Sequence, residues 1–429
     1  MNRSIRVAAV QLEARDRRNF RGALDGILDV VSRASRGAEL LVLPEGTIPG
    51  YVLGTEPIDA GQIEDAIAEV ARIARENRTV IVVGAAIVED GTLRNGAVVI
   101  DADGSLAGRA DKLFLWHFDR RWFAQGERVE PVRTSIGSLG ILVCADGRLP
   151  TIARALVDRG AAALIMPTAW VTSGRDPNAL ENVQADLLAR VRAYENRVPF
   201  VAANKCGTEL GMVAYCGKSQ IVDAAGEIVA IAGQREPETL RADVTLAAAR
   251  PQRAVLSRLE ARAAYAARTL RIAISFDPLP ADIDECLQLL DDDYALAVDD
   301  LARFAMLDRT VALAATADET VLDPAGLVAY RRAGYELICW TSHLQQPWLE
   351  RFARARALEL RLYLVVFDRS TQRAFAVDPD GTIIAGTFGG YRLASFAFDP
   401  RKVRETAVAP GTDVAEGLDR IAALTSARD

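Results

Sequence analysis

GILVCADGRLP, Gly140 to Pro150, reads as a buried strand that ends on a cysteine and turns at once into a helix. Ile141 to Val143 supply the apolar run. Asp146, Gly147 and Pro150 supply the turn, and Ile152, Leu156 and Val157 share one face of a helix over Thr151 to Asp158. Such an elbow lifts a side chain off the sheet, and a helix N-terminus stabilises a thiolate. Cys144 is therefore a candidate nucleophile, with a lowered thiol pKa expected. The competing reading is inert packing, the commoner fate of a cysteine beside an apolar strand. Other strand ends decide between the two if they bring charge to the same place.

Two of them carry charge. AELLVLPEGTIPGY, Ala38 to Tyr51, gives a strand over Leu40 to Leu43 that Pro44 closes and Glu45 follows. Leu106 to Arg109 is another strand, followed by DKLFLWHFDRRWFAQG, Asp111 to Gly126, with Lys112 as its second residue. That segment is dense in aromatics and charge without a clear period, and reads as a functional loop over a site. Around these lie strands at Ile5–Val10, Thr79–Ala86, Gly96–Asp101, Val129–Thr134, Ala162–Trp170 and Pro199–Asn204. Helices are expected over Phe20–Ala34, Ile63–Glu76 and Asn178–Asn196, and a hairpin over Gln220–Ala230. Alternation of strands and helices makes the class α/β.

Composition narrows the functions. With 429 residues, half of them apolar, the chain can bury a large core in two or three domains. A net charge of -7 and the lack of a long basic stretch argue against nucleic-acid binding. No apolar run reaches membrane-spanning length, and the charged flanks of the first strand are unlike a signal peptide. Five scattered cysteines without a CxxC pair suggest reduced thiols and a cytoplasmic setting. Only His117 and His343 are present, so a histidine-rich metal site is not expected.

The pattern then begins again. Ala247 to Thr269, basic and alanine-rich, reads as a linker helix between a first domain, 1–246, and a second, 270–429. Leu270–Ser275 echoes Ile5–Val10; Pro324, its helix and Gly334 echo Pro150, its helix and Gly160. Arg356–Asp368 echoes Arg192–Asn204, and Phe375–Ala385 echoes Gln220–Ala230. Four matches in one order make an internal repeat. The second copy is shorter, with the acidic stretch Asp282–Asp300 in place of nearly everything between its first strand and its elbow. The Pro324 register puts Asp318 where the first copy has Cys144, so the second copy is expected to be non-catalytic.

Pro44-Glu45, Lys112 and Cys144-x-Asp146-x-Arg148-x-Pro150, in this order, resemble the carbon-nitrogen hydrolase (nitrilase) superfamily. Pro167-Thr168-Ala169-Trp170 and Arg192-Ala193-Tyr194-Glu195-Asn196 add to the resemblance, which covers about the first 240 residues. It implies a four-layer α-β-β-α sandwich followed by a truncated second sandwich. It also implies a Glu45–Lys112–Cys144 triad working through a thioester, with no metal or organic cofactor. The physical logic agrees. A thiol attacks, Glu45 shuttles protons, and Lys112 with the backbone N–H of Ala145 holds the oxyanion.

The departures from the family pattern bear on substrate. Asp119 stands where a second glutamate is usual, Phe114 where a histidine is common and Thr151 where a glutamate ends the elbow motif. Arg148 is a candidate for a substrate carboxylate, Trp170 for the pocket wall, and His117 for either substrate contact or an exposed loop position. Cys144-Ala145-Asp146 resembles the amidase and carbamoylase branches, so the expected reaction is hydrolysis of a small linear amide or N-carbamoyl compound. The alternatives are a nitrilase and a non-catalytic scaffold. Family members pair through outer helices, so the second copy is expected to replace a dimer partner as an intramolecular pseudo-dimer, with further homo-oligomers open.

Overall fold

The structure is a computed structural model. It describes residues 3–426 apart from 173, 175, 177, 247–250, 252, 255–258 and 263–265. The chain divides into two compact units. Unit 1 is Met1–Pro251 with Ala409–Thr412 and Asp419–Asp429; unit 2 is Gln252–Val408 with Asp413–Leu418.

Unit 1 is built on two sheets. In order come β1 (Arg3–Glu13), α1 (Phe20–Ser35), β2 (Leu40–Val42), α2 (Ala60–Asn77), β3 (Val80–Glu89), β4 (Thr92–Ile100), β5 (Leu106–Asp111), β6 (Val132–Thr134), β7 (Gly137–Ile141), α3 (Pro150–Asp158) and β8 (Ala163–Pro167). Then follow α4 (Ala189–Asn196), β9 (Phe200–Ala203), the short β10 (Lys205–Cys206), β11 (Thr208–Glu209) and β12 (Val213–Ala214), and β13 (Gln220–Val222), β14 (Ile228–Ile231) and β15 (Glu238–Leu246). The first sheet runs β10-β1-β2-β3-β4-β5, with β15 also on β1; the second runs β14-β13-β9-β8-β7-β6.

Every residue of β2 and β8 is buried, which explains their unbroken apolar runs: parallel strands covered on both faces need no polar side. The sheets face one another where β2 meets β8 and β9. On the outside of the first sheet, α1 buries Ile27, Val31 and Ala34 and α2 buries Ile63, Ala66, Val70 and Ile73, the helical spacing visible in the sequence. The Asp59 carboxylate caps α2 by accepting from Gln62 N–H. On the other side α3 packs on β7, and α4 packs on β9 and β13.

Unit 2 contains β16 (Leu270–Ser275), α5 (Ile283–Leu290), β17 (Tyr294–Ala297), α6 (Leu301–Leu307), β18 (Leu313–Thr316), α7 (Asp318–Leu322), α8 (Pro324–Arg332), β19 (Leu337–Ser342), α9 (Trp348–Leu360), β20 (Tyr363–Asp368), β21 (Arg373–Val377), β22 (Ile383–Gly386), β23 (Ala394–Phe398) and α10 (Pro400–Arg404). After β24 (Ala407–Ala409) and β25 (Thr412–Asp413), α11 (Val414–Ser426) closes the chain. Its sheets run β17-β16-β23 and β18-β19-β20-β21-β22. The strand directions match those of β2-β1-β15 and β7-β8-β9-β13-β14. Irregularities at Ile221/Val222 and Ala376/Val377 fall at matching places in the two hairpins.

Three expectations need correction. The acidic stretch Asp282–Asp300 is not a bare replacement: it forms α5 and β17, because Ile283 and Leu287 bury one face and the acids Asp284 and Glu285 sit in the first turn, where the helix dipole favours them. The helix expected from Asn178 has a π turn over Gln184–Leu188 and becomes α-helical only at Ala189. Residues 270–429 do not stay together, since 409–412 and 419–429 group with unit 1, where Thr412 and Arg420 bond to the loop after Lys112. The linker helix expected over 247–269 falls largely outside the described residues. No helix among the described residues is long and apolar enough to cross a membrane.

Candidate active site

The catalytic candidates sit just beyond strand ends. Glu45 follows β2, Lys112 follows β5, and Cys144 stands three residues past β7. Close backbone approach makes this possible. A Cβ at Gly84 of β3 would lie 2.3 Å from Pro44 O and 2.5 Å from Glu45 Cα, so only glycine lets the Glu45 turn settle on β3. Cys144 has φ 48°, the left-handed conformation of a sharp elbow.

Short polar contacts join Glu45 and Lys112 to each other and to Asp119. Glu45 Oε1 accepts from Lys112 Nζ at 2.7 Å and from Asn95 Nδ2 at 2.7 Å. Lys112 Nζ also lies 2.7 Å from Asp119 Oδ2, and all three charged side chains are fully buried. Asp119 accepts further from Tyr51 Oη at 2.9 Å and Trp116 N at 2.9 Å. Burial alone would lower the Lys112 pKa, but Asp119 and Glu45 reverse this and hold it well above the ordinary value. Glu45 Oε2 is buried without a hydrogen-bond partner. The carboxylate thus keeps one oxygen to take a proton.

The thiol departs from expectation. Burial, with the Glu45 charge adding to it, pushes Cys144 up to about 12, against the lowering by Lys112, the Thr168 hydroxyl and Ala169 N–H. A helix N-terminus does not offset that desolvation. The resting group is a thiol, and attack requires that its proton leave as the bond forms.

Asp146 braces the loop instead of capping the next helix. Its Oδ1 accepts from Leu113 N at 3.0 Å and Phe114 N at 2.7 Å, and its Oδ2 from Val143 N at 2.9 Å. Burial pushes its carboxyl up to about 7 despite these donors. Below the elbow, Arg192 Nε donates to Gly147 O at 3.0 Å and pairs with Glu195 at 2.8 Å. The guanidinium of Arg148 stacks 4.6 Å over the Trp116 ring, and desolvation lowers it to about 10 while Cys144 opposes the drop. Among the described residues no carboxylate is paired with it. Ala145 lies buried beside Cys144, and Trp170 is buried past β8 with its indole N–H unpartnered. His117 is exposed, its ring against Phe118, and its backbone N–H donates to Thr412 Oγ1.

Several members of the site escape a reading of the sequence. Asn95 sits in an apolar strand, and the pairing Gly96↔Asp111 brings it beside Lys112. Glu209, buried, accepts from Tyr51 N at 3.1 Å, Tyr215 Oη at 2.7 Å and Lys205 Nζ at 3.1 Å, and so fixes the tyrosine that holds Asp119. Their local sequence marks neither: Arg94 stands beside Asn95, and Lys205 and Thr208 shortly precede Glu209.

A family model described as carbon-nitrogen hydrolase matches residues 6–254. The chain belongs to the carbon-nitrogen hydrolase family. A hydrolase of Pseudomonas protegens is 34% identical over 49% of this chain and 73% of its own length. An (R)-stereoselective amidase of a Pseudomonas species is 29% identical over 54% and 82%. The crystal structure of an amidase from a Nesterenkonia species matches with a TM-score of 0.50 and 31% identity, covering 56% of this chain and 89% of that one. The carbon-nitrogen hydrolase match ends where unit 1 ends its first long stretch, near Pro251.

Proposed function

We propose that unit 1 is a thiol amidohydrolase whose reacting groups are Glu45, Lys112 and Cys144. One observation carries this reading: a buried lysine bridges two carboxylates, and one of them, Glu45, keeps a free oxygen within the electrostatic reach of a buried thiol. As Sγ bonds to the substrate carbonyl carbon, its proton passes to Glu45. The oxyanion develops against Lys112 and the Ala145 N–H. The C–N bond breaks as Glu45 returns the proton to the leaving nitrogen, giving ammonia or an amine and a thioester. Water, deprotonated by Glu45, then attacks the thioester, and the acid leaves as the thiol is restored.

For substrate we favour a small linear amide or N-carbamoyl compound that carries a carboxylate. The support is Arg148, desolvated, stacked and, among the described residues, without a carboxylate of its own. The test is kinetic. Against a panel of amides, ureides and nitriles with and without a carboxylate, Arg148→Gln is expected to raise KM for the carboxylated members and leave the uncharged ones alone. Equal effects on both, or turnover of nitriles only, contradict the assignment.

For unit 2 we favour a truncated, non-catalytic copy of the same sandwich, supported by the matching strand directions and by Asp318 in the Cys144 position. It would make a homodimer unnecessary. Residues 1 to about 250 alone are then expected to aggregate, self-associate or lose activity, and a soluble, monomeric and fully active fragment contradicts the idea.

A further inference from the structure

The loop from Leu113 to Gly126 carries Asp119, and its base is closed by Gly126 N donating to Lys112 O at 2.8 Å. Asp146 and Tyr51 hold it from inside the sandwich. Two more holds come from the last part of the chain, in stretches that belong to unit 1. Arg420 spans the loop base, donating from Nη1 to Leu113 O at 3.1 Å and from Nη2 to Gly126 O at 2.6 Å. Thr412, fully buried, accepts at Oγ1 from His117 N at 2.7 Å. Its hydroxyl lies 3.5 Å from Leu115 O.

The Thr412 contact falls at a strained point. His117 has φ 41°, a left-handed conformation that is costly for a non-glycine residue and persists only when its surroundings enforce it. Two residues on, the Asp119 carboxylate meets Lys112. A relaxed His117 would move the backbone that aims this carboxylate.

We infer that Thr412 and Arg420 are positioning residues for catalysis: they clamp the Leu113–Gly126 loop so that Asp119 bears on Lys112. The triad is therefore completed by residues nearly 300 positions later in the chain. This rests on the amidohydrolase reading above.

The test uses the full chain. Thr412→Val keeps the shape and removes the hydroxyl; the expected result is a fall in kcat on the order of 10- to 100-fold, with KM little changed, because a small misplacement of a catalytic group acts on the transition state. Thr412→Ser is expected to restore kcat, which a role in packing alone would not predict. Arg420→Gln, whose side chain is only partly buried, should lower kcat in the same manner and serves if Thr412→Val does not fold. Wild-type kcat in folded Thr412→Val or Arg420→Gln overturns the inference. Cys144→Ala separates the two levels: if it abolishes turnover while the clamp variants do not, only the clamp fails, and if it leaves turnover intact, the underlying reading fails.

Discussion

The elbow after β7 and the turn after β18 are two answers to one geometry. Leu139 pairs with Ala163 and Leu313 with Leu337, so five residues on from each pair lie Cys144 and Asp318. The brace beneath is the same. Arg192 Nε donates to Gly147 O in unit 1, and Arg356 Nε donates to Val321 O at 2.7 Å in unit 2, each arginine paired with a glutamate three residues on at 2.8 Å. Even the donors correspond. Thr168 and Ala169, which lower the Cys144 thiol against its burial, stand five and six residues past Ala163. In unit 2, Ser342 Oγ lies 2.6 Å and His343 N 3.2 Å from the carboxylate of Asp318, with Trp340 Nε1 adding a third donor at 2.9 Å.

The difference lies in what the position leaves unsatisfied. Asp318 is saturated by its donors and serves as a structural node. Cys144 has a desolvated thiol, a carboxylate with a spare oxygen and a lysine beside it. A scaffold can thus keep its braces and lose its chemistry, because packing and reactivity draw on different residues.

The comparison breaks most visibly at the two elbow side chains. Cys144→Ser is expected to lower turnover on the order of 10,000-fold or more. Asp318→Ala should leave turnover unchanged, and measured loss there would mean unit 2 takes part in the reaction. Next in size is Glu45→Gln, which removes the proton shuttle and should cost on the order of 100- to 10,000-fold in kcat.

The same variant sharpens the electrostatics. A thiol held up at about 12 gains thiolate as pH rises through the whole neutral range, and the Glu45 charge is one of the causes that raise it. Glu45→Gln leaves Lys112 to lower it, so the pH midpoint for iodoacetamide labelling of Cys144 should move down. A midpoint that stays or rises would contradict the assignment of charges.

Smaller effects test the braces. Removing either buried arginine, by Arg192→Ala or Arg356→Ala, breaks a buried ion pair and should cost about 3–5 kcal/mol in unfolding measurements. Only the first should also lower kcat, since only its elbow carries the nucleophile. Least of all, Asp318→Ala should cost about 1–3 kcal/mol through its unpaired donors.

Glu45 and Cys144 were legible as candidates because each stands just past an apolar run, where a charged or nucleophilic residue stands out; Lys112 follows a mixed strand with no buried residue and was legible as a candidate through the family resemblance. Asp119 was legible only through the resemblance, as the residue standing where a second glutamate is usual. Asn95, Tyr51 and Glu209 were not, because strand register and chain returns bring them to the site, and neither is local. Thr412 and Arg420 lie furthest out of reach: nothing near them in sequence suggests that their partners are the carbonyls and N–H groups of a distant loop. The lowered thiol pKa expected of Cys144 failed for a related reason. A helix end is visible in the sequence, whereas the depth of burial that outweighs it is not.

The most direct test is intact-protein mass spectrometry of the full chain quenched during turnover of small amides and ureides. The account predicts an acyl adduct confined to Cys144, formed as amine or ammonia is released and absent in Cys144→Ala. Release of ammonia without an adduct, and undiminished in Cys144→Ala, would contradict it.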